Sequence, residues 1–90
     1  MPLSGNEQQQ IQTMVDAASK EERQEMCANA EATLSQVNML MGQKLLSKEE
    51  SKAAGVAIEI LVRVEATEKG KGLWFRTKRR LQLTQMYLGS

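Results

Sequence analysis

The sequence predicts an all-α fold, a small antiparallel bundle of about four helices, and three observations carry that prediction. Ser19-Lys-Glu-Glu22 and Ser47-Lys-Glu-Glu50 have the capping-box spacing, in which serine and glutamate satisfy each other's orphan backbone amides. Apolar residues recur at three- and four-residue intervals along the segments that these boxes open. Hydrophobic content of 41% with 26% charge is ordinary for a folded chain.

Asn6 is placed to cap a first helix over about Glu7 to Ala18, where Ile11, Met14, Val15 and Ala18 share one face. Ser19 then stops that helix and starts the next, from about Lys20 to Leu45. There Met26, Ala30, Leu34, Val37, Met41 and Leu45 form the clearest apolar stripe, with Gly42 weakening the last turn. Ser47 opens a third helix in which Ala53, Ala57, Ile60 and Val64 line one side. Lys52, Gly55, Glu59 and Arg63 line the other, with Glu59 and Arg63 spaced to pair at i, i+4.

Two readings compete after residue 58. Ile58, Ile60, Val62 and Val64 alternate with Glu59, Leu61, Arg63 and Glu65, and Leu73, Phe75 and Thr77 alternate beyond Glu68-Lys-Gly-Lys-Gly72, which would make a C-terminal hairpin over 58–83 and an α+β fold. Against this, Trp74, Thr77, Leu81, Thr84 and Leu88 are spaced as one stripe of an amphipathic fourth helix facing one partner, with Trp74 and Phe75 either packing or stacking. The helical reading is preferred because the capping box at Ser47 leads directly into the segment.

A chain of 90 residues forms one domain that buries only about two thirds of its unfolded surface. The expected organisation is a flexible tail over 1–5 and a single helical domain over 6–90, with a basic C-terminal element at 68–83. So thin a core predicts a homodimer. Met26, Leu34, Val37, Met39, Leu40 and Met41 give the second helix more apolar surface than one neighbour would cover, and they are the expected dimer or partner face.

Charge is divided along the chain. Residues 1–67 hold ten acids and six bases, a balance of −4, whereas residues 68–90 hold one acid and six bases, a balance of +5. All three aromatic residues lie in that basic end. Cations neutralise phosphates, guanidinium forks match their oxygens, and aromatic rings stack on unpaired bases. Lys69, Lys71, Trp74, Phe75, Arg76, Lys78, Arg79 and Arg80 are therefore the candidate contacts to nucleic acid or to another anionic partner. The plainer reading is that these bases are solvated or meet acidic helix faces within the same fold.

Catalysis is not expected. The chain has no histidine, which removes the usual general base, and a single cysteine, Cys27, which makes neither a redox pair nor a zinc site. Gly70-Lys71-Gly72 lacks the spacing of a phosphate-binding loop, and the acids at 21, 22, 25, 49 and 50 suit first-turn dipole stabilisation better than metal binding. No cofactor or metal is expected. Without a basic start followed by an apolar run, and without a long apolar span, the expected location is intracellular and cytoplasmic. The expected function is a small non-enzymatic nucleic-acid-binding or regulatory protein. Its alternative is an adaptor or inhibitor, of the type used as accessory regulators by phages, viruses and plasmids, acting on an acidic surface of a host protein.

Overall fold

A serine and a glutamate three residues apart open each of the first three helices. The computed structural model describes residues 3–89, which form α1 (Gly5–Ala17), α2 (Lys20–Met41), α3 (Lys48–Lys69) and α4 (Leu73–Leu88). No strand occurs among the described residues. Ser4, Ser19 and Ser47 each accept from the amide of Glu7, Glu22 and Glu50, and each glutamate accepts from the serine's own amide in return.

The first of these boxes corrects the expected start of the chain. Ser4, rather than Asn6, caps α1, so Gly5 is already helical and Leu3 packs against the core. Of the expected tail over 1–5, Met1 and Pro2 lie outside the described residues. At the other end of α2, Gly42 is the cap itself, so the helix stops at Met41 and not at Leu45. Leu45 is consequently exposed, and Leu46 is the loop residue that packs on the core.

The hairpin is corrected at Gly70. This glycine adopts φ +66°, a left-handed conformation that costs a residue without a Cβ little. Its amide donates to the Thr67 carbonyl at 3.3 Å and the Lys71 amide to that of Ala66 at 2.8 Å. That pair of bonds is a Schellman closure, which ends a helix and leaves its last carbonyls satisfied. Glu68 to Gly72 is thus the link between two helices, and the β-branched run before it is helical throughout.

Helix α3 is the centre of the molecule, touching α1, α2 and α4, and α2 also meets α4. Ala30, Leu34 and Val37 of α2 pack with Ala54, Ala57, Ile58 and Val62 of α3 and with Leu83 of α4. A second cluster joins Ile11 and Val15 of α1 to Val64 of α3, closed over by Leu3, Met26, Cys27, Val56 and Ile60. Leu34, Val37 and Ala30 therefore follow the expected stripe of α2 inward. For the expected dimer face this is a correction, because Leu34 and Val37 are core residues and unavailable to a second chain.

Candidate functional site

Sequence spacing correctly pairs Glu59 with Arg63, on the stripe opposite the apolar one of α3, and both are buried. Glu59 is 2% exposed. Its Oε2 accepts from Arg63 Nε at 2.6 Å and from Arg80 Nη2 at 2.8 Å, while Oε1 accepts from Arg80 Nε at 2.7 Å. Arg63 continues the network into α1, donating from Nη1 to Gln12 Oε1 at 3.0 Å and from Nη2 to Gln8 Oε1 at 3.4 Å. Gln12 in turn donates to Thr67 Oγ1 at 3.0 Å. One carboxylate on α3 thereby ties α1 and α4 to the central helix.

Burial is the largest influence on the Glu59 carboxyl and pushes its pKa up. The hydrogen bonds from Arg80 and then Arg63 together outweigh it and hold the group below the usual carboxylate range. Arg80 shifts the opposite way, raised chiefly by its hydrogen bond to Glu59. A second bridge of the same kind lies nearby, where Arg79 Nε donates to Glu65 Oε1 at 2.9 Å.

These bridges change what α4 presents. Its inner face carries Leu83 with the half-buried Arg76, Arg79, Arg80 and Tyr87, and Asn38 of α2 reaches across to donate to the Tyr87 carbonyl at 2.6 Å. The stripe expected to face one partner turns away from the bundle for much of its length. Trp74 is 86% exposed and Leu81 59%, and Thr77 is exposed with them; only Thr84 and Leu88 of that stripe are half-buried. An amphipathic pattern alone does not say which side is the core. Here α3 supplies carboxylates to meet arginines, so the guanidinium side goes in.

The eight candidate anion-binding residues are consequently divided. Arg79 and Arg80 are spent on Glu65 and Glu59. Lys69 stands 3.8 Å from Glu65 and 5.7 Å from the centroid of the half-buried Phe75 ring. Arg76 is half-buried, and its Nε is buried with no hydrogen-bond partner. Lys71 and Lys78 are exposed and make no ion pair among the described residues. They flank Trp74, with Lys78 one turn along on the same face as Trp74 and Leu81.

Of the remaining partner-face candidates on α2, Met39 and Met41 are exposed and Leu40 and Met26 half-buried. Met26 lines a groove between α2 and α3 that sequence reasoning missed. Its walls also include Ala30, Ala53, Val56, Ala57 and Ile60, with Glu49 and Lys52 at the edge. Cys27 is half-buried; burial first, and then the carboxylates of Glu68, Glu31 and Glu65, raise its pKa and keep the thiol protonated. Compared with protein-family models, curated proteins and solved structures, the chain matches none.

Proposed function

We propose that this chain is a non-enzymatic protein-binding module, an adaptor or inhibitor, which seats the outward face of α4 on an apolar surface edged with carboxylates. The observation that carries the reading is the exposed pair Trp74 and Leu81, flanked by Lys71 and Lys78, which make no ion pair among the described residues. Tryptophan is the side chain most enriched among residues that dominate interface energies, because it buries a large rigid surface at small entropic cost. Lysines around it steer and orient an acidic partner rather than supply most of the affinity.

Nucleic acid competes for the same residues, with Trp74 stacking on a base and lysines on phosphates. With Arg79 and Arg80 committed to Glu65 and Glu59, two free lysines are too few to make that the stronger reading. They would give a log–log salt slope of only about 2. Affinity capture from a source-cell extract, with and without nuclease, separates the two. The expected result is a stoichiometric protein retained after nuclease and lost with Trp74→Ala. Material that nuclease removes, with a steep salt dependence abolished by Ala at Arg76, Lys78, Arg79 and Arg80 together, would overturn the protein-binding reading.

A further inference from the structure

The groove between α2 and α3 continues past Met26 and Asn29 into a second depression bounded by α1 and α2. The two parts measure about 600 and about 400 Å³. From Glu22 to Thr33 along α2 the groove is about 16 Å long at 1.5 Å per residue, or three helical turns. Its floor is apolar and finely graded. Ala30, Ala53 and Ala57 let another backbone approach closely, and Met26 is a pliable wall. The rim is acidic, because Glu22, Glu25 and Glu49 are exposed and the lining cation Lys52 is already bonded to Glu7 at 2.8 Å.

We infer that this groove receives the outward face of α4 from a second copy of the chain, so that the protein assembles head to tail. The inference rests on α4 being a docking face, as proposed above, and names one surface it docks on. Charge argues for this occupant. The outward side of α4 carries Lys78, with Lys71 just before the helix, and α4 has no acid, so two such sides packed on each other would set like charges together, whereas the groove of a neighbour offers carboxylates to Lys71 and Lys78. Shape agrees with charge. Trp74 and Leu81 lie two turns apart, about 10 Å, within the length of the groove. No residue of α4 lines the groove, so one copy presents both surfaces at once. Contacts between unlike surfaces are heterologous and build an open chain or a closed ring.

Sedimentation velocity over a range of concentrations, at low salt and at about 1 M where screening acts within about 3 Å, tests this. The expected wild-type result is oligomers that grow with concentration and dissociate in high salt. Trp74→Ala removes the α4 anchor and weakens self-association about tenfold or more, while Glu25→Lys with Glu49→Lys closes the groove to a cationic helix. Neither variant touches the buried network, and circular dichroism verifies that both remain helical. Each should be monomeric alone. Mixed, they should form a one-to-one dimer and nothing larger, because the mixture keeps one good α4 face and one good groove. A wild type that is monomeric throughout, oligomers that survive Trp74→Ala, or a mixture that stays monomeric would each overturn head-to-tail assembly. A monomeric wild type that still captures an acidic protein through Trp74 would sink the assembly alone, whereas capture indifferent to Trp74→Ala would sink the docking face itself.

Discussion

Glu59 on α3 is almost completely shielded from water, and Trp74 on α4 stands almost completely in it. Each is where its own chemistry disfavours it, and the two placements have one cause. Helix α3 is held to α2 by an apolar seam of Ala54, Ala57, Ile58 and Val62, whereas α4 gives that core one fully buried residue, Leu83, with Tyr87 and Leu88 half-buried against it. Along the rest of its inner side α4 is fastened by the pair of bridges from Arg80 to Glu59 and from Arg79 to Glu65. A helix fastened by its guanidinium side has its apolar side left over. The comparison teaches that the buried charge and the exposed indole are two ends of one arrangement, in which ionic docking frees α4 for contact outside the chain.

The largest effect is expected from Glu59→Ala. It leaves Arg63 and Arg80 without their shared carboxylate, and breaking a buried pair by removing one partner costs about 3–5 kcal/mol. Urea unfolding measures it. Replacing all three residues with apolar ones of similar size should cost far less or even stabilise, since no uncompensated charge then remains. A loss under about 1 kcal/mol for Glu59→Ala would break the comparison, because an ordinary exposed pair is worth that much.

The same network sets an acid limit. The folded-state pKa of Glu59 is lowered from 4.5, so its contribution is complete above 4.5 and is lost as pH falls through the depressed value. Glu7 acts in the same sense, held at about 2 by its hydrogen bond to Lys52 and then by those of the Ser4 cap. Stability measured by thermal melting should therefore be flat above pH 4.5 and fall steadily toward about 2. In Glu59→Gln the fall should be shallower, and an equally steep fall would place the acid-sensitive group elsewhere.

A smaller effect discriminates between caps. Ser4→Ala and Ser47→Ala each remove a hydroxyl that accepts from an N3 amide and should cost about 1 kcal/mol by urea unfolding. Asn6→Ala lies inside α1 and should change stability by no more than about 0.5 kcal/mol. Equal losses for Asn6 and Ser4 would restore the start that spacing first suggested.

Much of the fold was legible because its signals are local. The boxes at Ser19 and Ser47 mark true helix starts, and the stripe of Ala30, Leu34 and Val37 marks the true inner face of α2. The box at Ser4 has the same Ser-x-x-Glu pattern and was equally readable, but Asn6 beside Glu7 is a rival cap of similar strength. The orientation of α4 was not legible. Both of its faces are coherent, one apolar and one cationic, and which of them turns inward depends on Glu59 and Glu65 lying 21 and 14 residues earlier on a neighbouring helix. The groove was hidden for the same reason, since its two walls come from α2 and α3 and neither carries a motif.

The smallest effect on stability, and the sharpest on the comparison, belongs to Trp74→Ala. A side chain 86% exposed gives up little buried area on truncation, so unfolding free energy should move by no more than about 0.5 kcal/mol. If α4 instead docked by its apolar side, the same truncation would empty a core site and cost about 3 kcal/mol or more. Trp74 is the only tryptophan, so its fluorescence reports that face alone. In dilute protein the emission should be that of a hydrated indole, open to a soluble quencher, and should shift to shorter wavelength and become protected as concentration rises at low salt. Emission already blue-shifted and protected at every dilution would mean that the indole is covered within one chain, and the freedom of the outer face of α4 would be lost with it.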